Sequence, residues 1–106
     1  MSEVVEKLKE FPGWELKGNK IVRVFETKNF GESAKFVEEV ARIAHRFYHY
    51  PDVEVRNQTR VTIESTTTQG SSSEPTEKDF RLAEAISRAF DNLKSAQMRK
   101  EQRRVY

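Results

Sequence analysis

The chain has 106 residues, of which 36% are hydrophobic and 34% charged, and this size and polarity fit one small domain with a modest core. It contains no cysteine, which excludes disulfides and thiolate chemistry, and its net charge of +2 gives no overall field favouring nucleic acid or membranes. No apolar run is long enough to cross a bilayer, so we expect a soluble, cytoplasmic protein without nucleic-acid or membrane partners.

The first half of the chain predicts a helix, a β-hairpin and a second, longer helix. Apolar residues share one face between Ser2 and Phe11, which predicts the first helix. Two strands follow, from Trp14 to Leu16 and from Lys20 to Thr27, around a Gly18-Asn19 turn.

The longest predicted helix runs from about Phe30 to Tyr48, started by Asn29 or Gly31. Its apolar residues recur at steps of three and four and form a broad stripe, which comprises Phe36, Val37, Val40, Ala41, Ile43, Ala44 and Phe47. We expect Pro51 to end this helix, because the residue before a proline avoids helical angles.

The second half predicts two strands, a loop and a final helix. The strands run from Asp52 to Arg56 and from Arg60 to Ser65, and the polar stretch from Thr66 to Pro75 reads as a mobile loop. A helix is predicted from Thr76 to about Ala96, where Asp79 can cap its start. The pattern predicts an α+β fold: a four-stranded antiparallel sheet with three helices packed on one face.

We expect a single domain over residues 1–96 and a frayed, basic tail over residues 97–106. From Lys94 onward the chain carries five basic residues against one acidic residue. Such a tail can bind RNA or an acidic protein face, but a solvated helix end is the simpler interpretation.

Both histidines lie at the corner between the long helix and the next strand. Imidazole exchanges protons near neutral pH, so His49 is a candidate acid or base, although a histidine there can also interact with the last helix carbonyls. His45 lies one turn away, but we expect no metal because a third ligand is lacking. Tyr48 and Tyr50 can stack on a planar ring or simply pack at the corner.

Several fragments together resemble the pterin-4a-carbinolamine dehydratase family. They follow the family's order over almost the whole chain: Gly13-Trp14, Ile21-Val22-Arg23-Val24-Phe25 with Phe30, His49-Tyr50-Pro51, the hairpin around Asn57 with Val61 and Ile63, and Thr76-Glu77-Lys78-Asp79 with Leu82-Ala83. The resemblance implies the family's α+β fold, a homodimer formed by pairing of sheet edges, and in some members a tetramer built through the long helix.

The resemblance also implies a site in which clustered imidazoles remove water from a 4a-hydroxy-tetrahydropterin. Its first histidine corresponds to His49, but its second falls on Tyr50 and its third on Thr66 or a neighbouring threonine. The motif aspartate corresponds to Asp79, and His45 stands at an acidic position. Tyrosine and threonine are poor bases at neutral pH, so two of three catalytic imidazoles are missing.

This loss is similar to that in a subgroup encoded with α-carboxysomes, whose members look like Rubisco assembly factors. The similarity implies a non-catalytic homodimer without a cofactor that binds the Rubisco large subunit through Tyr48, His49 and Tyr50, in association with the carboxysome. The alternative is a divergent dehydratase that uses His49. A third interpretation is a partner-binding module for transcription. The resemblance to the family is its only basis, and no residue of this sequence specifically supports it.

Overall fold

A four-stranded antiparallel sheet carries the fold, and three helices cover one of its faces. In the computed structural model, the backbone is described for residues 2–103 and the side chains for residues 2–96. The elements are α1 (Ser2–Leu8), β1 (Glu15–Lys17), β2 (Lys20–Glu26), α2 (Phe30–Phe47), β3 (Asp52–Arg56), β4 (Arg60–Ser65), β5 (Thr67–Gln69), β6 (Ser72–Glu74) and α3 (Glu77–Arg103). The predicted α+β class and sheet are confirmed.

The main sheet has the strand order β1-β2-β4-β3, with every pair antiparallel. Alternation along β2 turns Ile21 and Phe25 toward the helices, where both are fully buried. Their neighbour strand β4 contributes Val61 and Ile63 to the same layer. Strand β3 forms one edge of the sheet, and all five of its residues are exposed.

Aromatic rings fill the centre of the core between the sheet and the helices. Phe25 lies at the middle of the cluster, with ring centroids 4.8 Å from Phe36, 4.9 Å from Phe90 and 6.1 Å from Trp14. These tilted and edge-on arrangements are the ones that aromatic quadrupoles favour. The predicted stripe of α2 is buried at Phe36, Val40, Ile43 and Ala44, whereas Ala41 and Phe47 are exposed.

The start of α2 is fixed by a cap and by an ion pair to α3. Asn29 is the N-cap, and its Oδ1 accepts from the Glu32 backbone N–H at 2.9 Å. The Glu32 carboxylate is buried and accepts from Lys28 N–H at 2.9 Å and from Lys94 Nζ at 2.6 Å. Burial alone would raise the pKa of Glu32, but the bonds from Lys94 and Lys28 outweigh it and lower the pKa.

The prediction of a loop from Thr66 to Pro75 was wrong, because this stretch forms a second, small hairpin. Strands β5 and β6 pair antiparallel with Thr67 opposite Glu74 and Gln69 opposite Ser72. The two residues between them begin with Gly70, whose φ of 62° suits a tight hairpin turn. This hairpin holds residues 67–74 beside the start of α3.

Two helix ends also differ from the prediction. The first helix ends at Leu8 rather than Phe11, and its chain continues in turns toward Gly13. Helix α3 continues past Ala96 to Arg103, because this stretch contains no glycine or proline and is rich in helix-forming residues. Residues 104–106 and the side chains from residue 97 onward, on which the predicted fraying falls, lie outside the described residues. Among the described helices, none combines the length and apolarity that a bilayer span requires.

Candidate functional site

The corner that holds the histidines begins where α2 ends. The helix stops at Phe47, and Tyr48 takes the left-handed conformation with φ 52°. The N–H of Tyr48 donates to His45 C=O and the N–H of His49 donates to Ala44 C=O, which is the bonding pattern of a Schellman motif. The helix therefore ends by this reversal, three residues before Pro51, and the prediction that the proline ends it was wrong.

The reversal directs His49 inward, toward the first turn of α3. Its Nε2 lies 2.6 Å from Asp79 Oδ1, and the ring is largely buried. An ionised carboxylate only accepts hydrogen bonds, so Nε2 is the protonated nitrogen and Nδ1 is the acceptor in the neutral ring. His49 is thereby fixed in one tautomer.

Asp79 is the centre of the site and is fully buried. It accepts from Ser65 Oγ at 2.5 Å, from Thr67 Oγ1 at 2.6 Å and from the Thr76 backbone N–H at 2.8 Å, in addition to His49. The bond from Thr76 confirms the predicted capping role of this carboxylate at the start of α3. Asp79 therefore joins β4, the small hairpin, α3 and the corner.

These donors decide the charge of Asp79. Burial alone would raise the pKa of its carboxyl, but the hydrogen bonds from Ser65, Thr67, the Thr76 backbone and His49 outweigh burial and hold the pKa below its ordinary value of 3.8. Asp79 is therefore an anion at neutral pH, with both oxygens occupied by donors. Such a group orients an imidazole but has no proton to give.

The other residues of the predicted site lie on the outer side of the corner. His45 is exposed, its ring centroid is 5.9 Å from that of Tyr48, and its Nδ1 is 3.4 Å from the Tyr50 hydroxyl. Tyr48 and Tyr50 are 79% and 64% exposed. The structure thus gathers His45, Tyr48 and Tyr50 into an exposed aromatic cluster, and none of these three is hydrogen-bonded to His49 or Asp79.

Of the threonines at the end of β4, the structure brings Thr67 to His49 rather than Thr66. Thr67 Oγ1 lies 3.5 Å from His49 Nε2 and 2.8 Å from Thr76 Oγ1, whereas Thr66 Oγ1 donates to the Asn19 C=O. Ser65 was not among the predicted site residues, although its place on the alternating inward face of β4 points to it. Within the described residues, no group of three His, Cys, Asp or Glu side chains is arranged to hold a metal.

The comparisons with known proteins agree with this architecture. The family model described as pterin 4 alpha carbinolamine dehydratase matches residues 1–89. A protein of Chloroflexus aurantiacus named "Putative pterin-4-alpha-carbinolamine dehydratase" is 41% identical over 80% of this chain and 88% of its own length. One of the same name from Sulfolobus acidocaldarius is 40% identical over 82% and 92%.

A solved structure gives the same result. The chain is similar to a transcriptional coactivator/pterin dehydratase from Brucella melitensis, with a TM-score of 0.74 and 27% identity, over 83% of this chain and 93% of that one. This chain belongs to the pterin 4 alpha carbinolamine dehydratase family.

Proposed function

We propose that this protein has lost the family's dehydration chemistry and instead binds another protein through the corner between α2 and β3. The observation that carries the proposal is the separation of the two imidazoles: His49 is bonded to a buried aspartate, whereas His45 faces outward with Tyr50. Dehydration of a carbinolamine needs one proton delivered to the leaving hydroxyl and another removed from a ring nitrogen. Clustered imidazoles supply both steps, and here only one imidazole faces inward.

The groups around His49 are poor substitutes for a second imidazole. Asp79 is ionised and its oxygens are occupied by hydroxyl and N–H donors. Thr67 and Ser65 carry hydroxyls that do not exchange protons readily at neutral pH.

The outer side of the corner has the character of a protein-binding surface. Tyrosine is enriched among the residues that dominate interface energies, because it buries a large ring and keeps a polar end. Tyr48 and Tyr50 are both strongly exposed, and the ring of Phe47 is partly exposed beside them. The left-handed backbone at Tyr48 presents its side chain at the tip of the corner.

The partner we propose is the Rubisco large subunit, in the α-carboxysome system. The support is the pattern of replaced histidines, which is similar to that of the dehydratase-like Rubisco assembly factors. We further propose a homodimer through the exposed edge strand β3, whose backbone donors and acceptors are free on one side in the described part of the chain. A two-fold dimer would present two copies of Tyr48 and Tyr50 to one assembling oligomer, whereas His49, which was expected to bind with them, faces inward and is largely buried.

The test is a binding titration of the purified protein with unassembled Rubisco large subunit, followed by native mass spectrometry. We expect a complex, and the double variant Tyr48→Ala/Tyr50→Ala should weaken it at least about tenfold. The matched control is Phe30→Ala, which removes another strongly exposed ring, 60% accessible, at the opposite end of α2. No complex, or equal loss in both variants, would contradict the proposal.

A second candidate function, a divergent dehydratase, is favoured by the 2.6 Å contact between His49 and Asp79. A buried carboxylate that holds an imidazole in one tautomer is the arrangement of an oriented general base, and relatives 41% identical carry the dehydratase name. Titration with a reduced pterin, followed by its fluorescence, separates the candidates. Saturable binding that is lost in His49→Ala would favour the enzyme, and no binding would exclude it.

A further inference from the structure

A charged residue occupies a position of β2 where the sheet otherwise buries apolar side chains. Arg23 stands between Ile21 and Phe25 on the face that the helices cover, and both neighbours are fully buried. Its partner across the strands is Ile63, which is also fully buried. A cation at this place must extend out of the core between α3 and the turn that precedes β1.

The Arg23 side chain is held tightly on three sides. Its Nη1 donates to Ser87 Oγ at 3.0 Å, and its guanidinium lies 4.3 Å from the Phe25 ring centroid. Ser87 Oγ also accepts from Trp14 Nε1 at 2.8 Å. The backbone of Gly13 passes so close that a Cβ there would lie 2.7 Å from Arg23 Nε. The guanidinium is therefore fixed in place before anything binds to it.

Arg23 nevertheless has no counter-ion in contact. Burial lowers the pKa of Arg23, and the charge of Asp91 raises it only in part. Within the described residues, no carboxylate oxygen approaches Arg23 within 4.0 Å, whereas other cations do form such pairs, among them Lys94 with Glu32 and Lys7 with Glu77, each at 2.6 Å. A guanidinium has five N–H donors, and a partly buried charge is costly unless it is paired.

Arg23 lines a cavity of about 530 Å³, which is within the size range of small-molecule sites. One wall is formed by Phe11 and Pro12, and the other by residues of α3. Two of the α3 residues, Glu84 and Arg88, pair with each other at 2.8 Å.

The charges that remain at the cavity define the ligand it can take. They are the cation of Arg23 and the carboxylates of Glu10 and Asp91. A simple anion would meet Arg23 but would be repelled by the two carboxylates. A ligand that carries charges of both signs satisfies all three groups, and an apolar body can pack on Phe11 and Pro12.

We propose that this cavity binds a small zwitterion, with its carboxylate on Arg23 and its protonated amine on Glu10 and Asp91. The site is separate from the histidine corner. Ser87 follows Asp79 by eight residues on α3, a distance of about 12 Å along the helix axis. The proposal does not depend on whether the corner binds a protein or a pterin.

The experiment is an NMR titration of the isotope-labelled protein with single free α-amino acids. Each is compared with the acid that lacks its amine and with the amine that lacks its carboxylate. We expect saturable shifts at Arg23, Ser87 and Asp91 with at least one amino acid, and at least about tenfold weaker binding of both truncated analogues. No saturable shift up to about 10 mM, shifts centred on His49, or equal binding of a truncated analogue would overturn the proposal.

Two variants locate the site, and one of them leaves the core untouched. Asp91 is exposed, and Asp91→Asn removes one of the two negative charges proposed to bind the amine. We therefore expect at least about fivefold weaker binding. Arg23→Met should abolish binding, provided that its folded spectrum is retained. Glu38→Gln, an exposed carboxylate on α2 outside the cavity, is the matched control and should bind as the parent does. Unchanged binding in Asp91→Asn would refute the proposed site without reference to Arg23→Met.

Discussion

The two histidines lie four residues apart but in opposite surroundings. His49 is largely buried and bonded to Asp79, which in turn accepts bonds from Ser65, Thr67 and Thr76. His45 is exposed, and its neighbours are two tyrosines on the surface. The difference arises at one residue, because the left-handed turn at Tyr48 reverses the chain between them. The inner side is a buried hydrogen-bond network, and the outer side is an exposed aromatic cluster, which we propose to be the contact surface.

Removal of Asp79 is the strongest way to disturb the inner side. Asp79→Ala leaves the donors of Ser65, Thr67, Thr76 and His49 without their buried acceptor, so the free energy of unfolding should fall by about 3–5 kcal/mol. Urea unfolding followed by circular dichroism measures it. The matched substitution on the outer side, His45→Ala, should cost less than about 0.5 kcal/mol. Equal losses in both variants would mean that the two sides are not distinct.

The decrease of stability at acid pH should also depend mainly on the inner side of the corner. The pKa of Asp79 is lowered on folding, so its stabilisation is present above the ordinary value of 3.8 and is lost as the pH falls through the lowered value. We expect the free energy of unfolding to decrease as the pH falls from about 3.8 to the lowered pKa of Asp79. In Asp79→Asn the decrease should be shallower but not absent, because the pKa of Glu32 is lowered as well. Urea titrations at a series of pH values measure both slopes, and identical slopes would contradict the role of Asp79.

Replacement of Tyr48, the residue that divides the two sides, by glycine should stabilise the protein. Tyr48 has a φ of 52°, a conformation that costs a side-chain-bearing residue about 1 kcal/mol and glycine little. Tyr48→Gly should therefore raise the free energy of unfolding by up to about 1 kcal/mol, as seen by urea unfolding. Tyr48→Ala keeps a Cβ and should show no such gain. A gain in both variants would point to the exposed ring instead of the backbone.

The smallest effect is expected on the outer side itself. Tyr50→Phe removes only the hydroxyl that lies 3.4 Å from His45 Nδ1 at an exposed position. Its cost to stability should be below about 0.5 kcal/mol by thermal unfolding. A larger loss would show that the exposed aromatic cluster supports the fold.

The sequence predicted the parts of the molecule that depend on local pattern. Strong periodicity located α2 and the four strands, and the cap residues Asn29 and Asp79 were found because side-chain oxygens at helix starts have a recognisable spacing. The burial of Asp79 was not predictable from the sequence. It depends on Ser65 and Thr67, which reach it only when β4 and the small hairpin fold against α3.

The remaining errors have the same origin. A tyrosine in the left-handed region is uncommon, so the proline further along was the more obvious end of α2. The short strands β5 and β6 contain mostly serine and threonine, and no apolar alternation marks them. Their pairing is decided by the Gly70 turn and by the bonds of Thr67 to Thr76 and Asp79.

The most direct measurement of the central claim is the rate at which the purified protein dehydrates a 4a-hydroxy-tetrahydropterin generated in solution. With one inward imidazole, held by an ionised carboxylate, we predict that the parent protein and His49→Ala both leave the uncatalysed rate unchanged. Turnover by the parent at about 1 s⁻¹ or faster, lost in His49→Ala, would contradict the account and identify the corner as a working active site.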